Sequence, residues 1–430
     1  VPTKNHGRGT SLIRSQIGTL LLSSVTSQLV PVMAMPVLSR LFSPHEFGVL
    51  GVYLATIAVL SVAGCLRLEH GVLIEPDEND AGALARLCMR LCAGMGVLTL
   101  VVLVALHGAG LQPQAIGLST VAYYAIAPGM AVSACVQLQS VRLLRASNTT
   151  QLARGRIIQA LATSGLGIAA GLMSGSADVL VLATLTGQCV GVWVLRSPTT
   201  PSAGYRSSGE LWERNRRFPL FTLPSDLLSA GSAQLPMFFL AATYGPVATG
   251  IFLLAQRALL MPLSMVGAAV TDVFKSHAAK RHDSPTGSRS LTLQTMGGLA
   301  VVSVIPCLVV IFWAPPLFVA VFGAEWRDAG TVCQLLAVAA FVRLVATPIS
   351  YNFYLAGRQR EDLLAQGYGL LSNAGIFVCA QLGGWSLRTC VLVYGINLTV
   401  IYLYYMIRSV ALSTHARTSP DLGHGGATRT

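Results

Sequence analysis

Two arginines, Arg257 and Arg343, stand near the middle of long apolar stretches of this 430-residue chain. Asp226 lies inside another apolar stretch, near its start, and Arg40 and the pair Arg67/Glu69 stand at the ends of others. A charge at the centre of a membrane-spanning helix costs about 2.5–3.5 kcal/mol on insertion scales. Charges kept there face water or pair with one another. Two guanidinium groups in such places favour an anionic ligand, and the planar guanidinium fork suits phosphate. The structural alternative is an ion pair between these arginines and Asp226. For Arg40, Arg67 and Glu69, snorkelling and pairing at helix ends compete with ligand contact. Asp226 and Glu69 could also exchange a coupling cation, although no spacing demands it.

The elements that must hold these charges follow from where other charges are missing. The chain is 53% hydrophobic and 11% charged, against about 25% charged residues in soluble domains, which makes it an integral membrane protein. A spanning helix takes roughly 20 apolar residues. Twelve stretches qualify: 17–38, 48–65, 87–107, 117–138, 157–174, 177–195, 219–243, 249–271, 297–322, 330–351, 366–383 and 387–407. The division between the seventh and eighth rests on the turn Tyr244-Gly245-Pro246. Nearly all Lys and Arg fall in every second gap. Gap 139–156 holds Arg142, Arg145, Arg154 and Arg156, and gap 196–218 holds Arg196, Arg206, Arg214, Arg216 and Arg217. Gaps 108–116, 175–176 and 244–248 hold none. By the positive-inside rule both termini are cytoplasmic. The net charge of +12 follows from the same rule and gives no reason to expect nucleic acid as a partner.

The outer gaps are too short to house a soluble domain. The largest inner gap, 196–218, begins as a flexible Ser/Pro/Thr/Gly linker. It continues over Glu210–Arg217 as a short amphipathic helix, expected to turn Leu211 and Trp212 toward lipid. The expected domains are a six-helix lobe over 1–200, a cytoplasmic linker with the amphipathic helix over 201–218, a second six-helix lobe over 219–414 and a disordered tail over 415–430. The lobes look like repeats. Pro44 and Gly48 recur 202 residues later as Pro246 and Gly250. Six spans per half make the repeat parallel, about a pseudo-two-fold axis along the membrane normal.

Gly167 and Gly171 form a G-x-x-x-G pair that lets helices approach closely. Gly165, Gly167 and Ala170 fit a dinucleotide fingerprint in letters only, since no strand precedes them. Trp193, Trp313, Trp326 and Trp385 fall near span ends, where interfacial anchors belong. The nine cysteines are scattered without a C-x-x-C, which makes neither a disulfide framework nor a metal site. There is no Walker A sequence, no H-E-x-x-H and no G-x-S-x-G. No enzyme activity, cofactor or metal is therefore expected.

Several segments resemble Wzx-type oligosaccharide flippases, the polysaccharide branch of the multidrug/oligosaccharidyl-lipid/polysaccharide exporter superfamily. They are Leu38-Ser39-Arg40-Leu41-Phe42-Ser43-Pro44 with Phe47-Gly48, Leu66-Arg67-Leu68-Glu69 with the acidic run after it, and Arg216-Arg217-Phe218-Pro219-Leu220-Phe221-Thr222-Leu223-Pro224-Ser225. Further along come Gln234-Leu235-Pro236, Ala255-Gln256-Arg257, and Phe322-Gly323-Ala324-Glu325-Trp326. The resemblance runs in order along essentially the whole chain. It implies an all-α protein of about twelve transmembrane helices in two six-helix lobes around a central cationic cavity. It also implies transfer of an undecaprenyl-pyrophosphate-linked oligosaccharide from the cytoplasmic to the periplasmic leaflet of a bacterial inner membrane. On that reading Arg257, Arg343, Arg40 and Arg67 contact the anionic substrate. A polysaccharide polymerase and a chain-length regulator are expected partners, beside membrane lipids. A cation-coupled drug antiporter of the same superfamily would want more intramembrane carboxylates than Asp226. A polymerase or glycosyltransferase would want larger outer loops bearing catalytic acids.

Overall fold

The computed structural model describes residues 26–196, 208–280 and 285–413. The basic N-terminal segment, the start of the linker and the tail over 415–430 lie outside the described residues. Among the described residues every regular element is helical. In chain order they are α1 (26–41), α2 (Pro44–Ala63), α3 (Glu69–Ile74), α4 (Glu78–Gly108), α5 (Thr120–Arg145), α6 (Thr149–Met173), α7 (Ala177–Val194), α8 (Ser208–Asn215), α9 (Leu223–Lys280), α10 (Pro285–Phe322), α11 (Arg327–Ile349), α12 (Asn352–Leu355), α13 (Gln359–Leu382) and α14 (Leu387–Leu412). Ten helices among the described residues are long and apolar enough to cross a membrane. The 58-residue α9 contains Gly245 at φ 80°, ψ −178°, which interrupts the helix at the expected turn between the seventh and eighth spans. Only glycine adopts such a backbone without strain. With that break, and with α1, the helices are consistent with the twelve expected crossings.

Local chemistry explains the helix ends. Ser43-Pro44-His45-Glu46 starts α2: Pro44 stands at the first turn, and Glu46 reaches back to accept the Ser43 N–H at 2.8 Å. Asp77 caps α4 by accepting the N–H groups of Asn79 and Asp80 at 2.7 and 3.0 Å. Part of the acidic run after Glu69 therefore serves as a helix cap. Gly167 and Gly171 of α6 lie against Leu38 and Leu41 of α1, the close approach their spacing predicts.

Contacts divide the chain into two compact units. The first holds the described residues up to Ala258 together with Pro315–Gly330, and the second holds Leu259–Ala314 and the described residues from Thr331 on. This division differs from the six-and-six division at 1–200 and 219–414. The first part of α9 packs on α2, and the turn before α11 packs on the end of α1, so both join the first unit.

Trp326 shows the second of these attachments. It is 1% exposed, its indole N–H donates to the Ser39 carbonyl at 2.7 Å, and its ring meets Phe47 edge-on at 5.0 Å. The expectation that Trp326 is an interfacial anchor is thus corrected: it is a buried plug. Trp193 and Trp313 are exposed, as anchors would be. Trp326→Phe keeps the ring and removes the donor, leaving one buried carbonyl short of a partner. We expect a loss of about 1–2 kcal/mol, read as a lower melting temperature in detergent. An unchanged midpoint would remove this hydrogen bond from the forces holding the turn.

In the second unit, Phe274, Ala278 and Ile349 form a core with Leu291, Tyr351 and Met406 beside it. Asn352 is buried there and donates to Thr292 Oγ1 at 3.0 Å and to the Ser409 carbonyl at 3.1 Å.

Candidate functional site

The chain reverses between α2 and α3 through two consecutive non-glycine residues in the left-handed region, Leu66 at φ 52° and Arg67 at φ 61°. Such a backbone costs roughly 1–2 kcal/mol per residue and persists only where the surroundings fix it. Here Leu68 and Val72 supply the anchor. Both are fully buried in a cluster with Leu84, Cys88, Cys92, Leu138 and Leu211. Arg145 also donates to the Val72 carbonyl at 2.8 Å, satisfying the end of α3.

The reversal turns Arg67 toward two carboxylates. Its Nη1 lies 3.2 Å from Glu69 Oε1 and its Nε lies 2.7 Å from Asp226 Oδ2. The Nε–H is not aimed along the second line, so that contact is an ion pair rather than a directed hydrogen bond. Asp226 arrives on the first turn of α9, directly after a π-helical turn over Phe218–Thr222 that contains Pro219. Such turns recur at functional positions. Side-chain exposure is 17% for Arg67, 6% for Glu69 and 34% for Asp226. One cation therefore faces two carboxylates in a largely buried place, and Glu69 Oε2 has no hydrogen-bond partner.

From the sequence, Arg67 is a candidate for substrate contact or for helix-end pairing beside Glu69, while Asp226 and Glu69 are candidates for coupling or pairing. The structure brings all three together. Asp226 is thus engaged by Arg67, and among the described residues it forms no ion pair with Arg257. Arg257 stands half-buried on α9 with no hydrogen bond or ion pair among the described residues. Arg343 is exposed on α11, and its side chain likewise meets no acid among the described residues. Arg40 is exposed and donates from Nη2 to the Ala320 carbonyl at 3.2 Å, near the end of α10. That contact caps a helix C-terminus, where a cation is favoured.

A second charged contact escaped sequence reasoning. Helix α8 does not turn Leu211 to lipid. Leu211 is 1% exposed inside the cluster around α3, while Trp212 is 39% exposed. Asn215 packs on Gly71, and Arg214 Nη1 lies 3.2 Å from Glu75 Oε1, whose side chain is 5% exposed. Glycine at 71 was the available signal: a Cβ there would lie 2.5 Å from Asn215 Oδ1. The amphipathic helix therefore docks on the segment that carries Glu69.

Residues 37–331 match the family described as polysaccharide biosynthesis protein. Among relatives, the teichuronic acid biosynthesis protein TuaB of Bacillus subtilis is 30% identical over 190 residues, 43% of this chain and 38% of that protein. The succinoglycan biosynthesis transport protein ExoT of Rhizobium meliloti is 26% identical over 369 residues, 80% of this chain and 67% of that protein. The matched stretch thus spans well under half of the first relative and about two thirds of the second. The fold is similar to an inward-facing multidrug resistance MATE family transporter of the MOP superfamily, with TM-score 0.71 and 15% identity, over 91% of this chain and 96% of that one. It is also similar to the lipid II flippase MurJ in an inward closed conformation, with TM-score 0.70 and 11% identity, over 92% and 89%. At these identities the two structures speak for the fold. The family match extends over more than half of the sequence, and the chain belongs to the polysaccharide biosynthesis protein family.

Proposed function

We propose that this protein is a flippase for lipid-linked oligosaccharide. It moves undecaprenyl-pyrophosphate-linked repeat units from the cytoplasmic to the periplasmic leaflet of a bacterial inner membrane, with both of its own termini cytoplasmic. The observation that carries the reading is Arg257: a cation inside an apolar helix with no acidic partner among the described residues, in a family of polysaccharide biosynthesis proteins. A pyrophosphate and its sugars cannot enter hydrocarbon unaided. Guanidinium groups replace part of the lost hydration through charge-assisted hydrogen bonds, while the polyprenyl tail stays in lipid. Arg257 and Arg343 carry that role. Arg40 is the weaker candidate because it already caps α10. The repeats over 1–200 and 219–414 are the moving lobes of an alternating-access cycle.

Arg67, Glu69 and Asp226 form the coupling site in this proposal. The triad carries one positive and two negative charges, and a proton or monovalent cation on Glu69 would balance it. The engagement of Asp226 by Arg67 weighs against a drug-cation antiporter that would hold a cationic drug on Asp226. A polymerase and a chain-length regulator act next on the delivered repeat unit.

Disrupting the gene in its host tests the function. Lipid-linked oligosaccharide should accumulate on the cytoplasmic leaflet while surface polysaccharide falls, and drug sensitivity should stay the same. Repeat units that reach the periplasm but are not polymerised would point to a polymerase instead.

A further inference from the structure

The Pro44/Gly48 and Pro246/Gly250 motifs, 202 residues apart, pack against each other in a reciprocal way. A Cβ on Gly48 would lie 1.8 Å from the Pro246 carbonyl oxygen, and a Cβ on Gly250 would lie 1.8 Å from the Pro44 carbonyl oxygen. Each glycine of one repeat thus faces the proline carbonyl of the other. Exchange of partners in this way marks a two-fold contact. The contact is backbone on backbone, and glycine is required at both positions because any side chain would overlap a carbonyl. The next layer continues it: a Cβ on Gly51 would lie 3.2 Å from Met237 Sδ and 3.4 Å from Leu253 Cδ2. Phe47, Val49, Thr249 and Phe252 around it are all at most 3% exposed.

We propose that this seam is the outer gate of the transport path, an inference that rests on the flippase reading. Three observations favour a gate. The seam joins equivalent hairpins of the two repeats, the parts whose relative movement transport requires. It lies at the end of the helices opposite the basic gaps, which the charge distribution places outside. Its attraction is close-range packing of small residues and carbonyls, individually weak, so it can part and re-form without stripping a buried charge. A β-carbon at position 48 or 250 acts as a wedge and shifts the population toward the open form.

The test uses Thr249→Cys, a fully buried position beside the seam, in the full chain with its native cysteines replaced. An impermeant maleimide is applied to right-side-out and to inverted vesicles. With both glycines intact, position 249 should label slowly from either face. With Gly48→Ala, Gly48→Val or Gly250→Val added, labelling from the outer face should rise at least about tenfold, the equivalent of about 1.4 kcal/mol in the closed–open balance. Unchanged labelling in variants that remain folded overturns the gate, as does labelling from the inner face alone. If even Gly48→Ala and Gly250→Val both fail to give monodisperse protein, the seam belongs to the fold and the gate is overturned. Opening as expected in a protein that moves no lipid-linked oligosaccharide would sink the flippase reading and leave the seam as a gate.

Discussion

Arg67→Ala is expected to destabilise the protein by about 3 kcal/mol, the lower end of the range for removing one partner of a buried charge group. The lower end applies because Arg67 keeps 17% side-chain exposure and Asp226 keeps 34%. The damage falls on Glu69, which is 6% exposed and would lose its cation. It should therefore be relieved by neutralising Glu69. The double variant Arg67→Ala/Glu69→Gln is expected to recover a large part of the loss, and Asp226→Asn alone to cost at most about 1 kcal/mol. Thermal melting of the purified variants reads all three, and the coupling term of the cycle isolates the Arg67–Glu69 interaction. Additive losses would mean that Arg67 matters through the strained turn at 66–67 and not through its charge. Export should fail in Arg67→Ala for the same reason that stability falls, so this variant alone says little about substrate.

Arg257 has the opposite signature. It has no hydrogen bond or ion pair among the described residues, so Arg257→Gln removes an intramembrane charge without orphaning an acid. Folding and insertion should be unchanged or slightly improved. Transport should fall by about 10- to 100-fold, the loss of a charge-assisted hydrogen bond of about 1.5–3 kcal/mol. Arg343→Gln should act in the same direction, and the two together more strongly. Arg257→Lys keeps the charge but not the fork, and should fall between wild type and Gln. Normal export by Arg257→Gln at wild-type protein levels would take this residue out of the substrate path.

The contrast between these arginines was only half legible in the sequence. Both are charges in or beside apolar stretches, and composition ranks them alike. What separates them is a contact between residues distant in the chain, Arg67 with Asp226. Its geometry depends on the left-handed backbone at Leu66 and Arg67, which non-glycine side chains do not announce. The crossings were legible because charge is excluded from lipid-facing helices. The Gly245 break was legible as a turn signal. Pro44/Gly48 and Pro246/Gly250 were visible as a repeat, but their mutual contact was not, because a repeat does not say whether its copies touch. Trp326 and Leu211 were misread for one shared reason. An amphipathic or aromatic residue at a helix end suits an interface and a buried joint equally well, and only the partner surface decides. For Trp326 that surface is Ser39 and Phe47, and for Leu211 it is the α3 cluster.

Transbilayer movement of a polyprenyl-pyrophosphate oligosaccharide in proteoliposomes is the most direct measurement of the proposed function. Purified wild-type protein should transfer the labelled lipid from one leaflet to the other, and Arg257→Gln/Arg343→Gln, reconstituted at equal amount, should transfer it at least about tenfold more slowly. No transfer by the wild type under an imposed proton or sodium gradient, or equal rates for the two proteins, would contradict it.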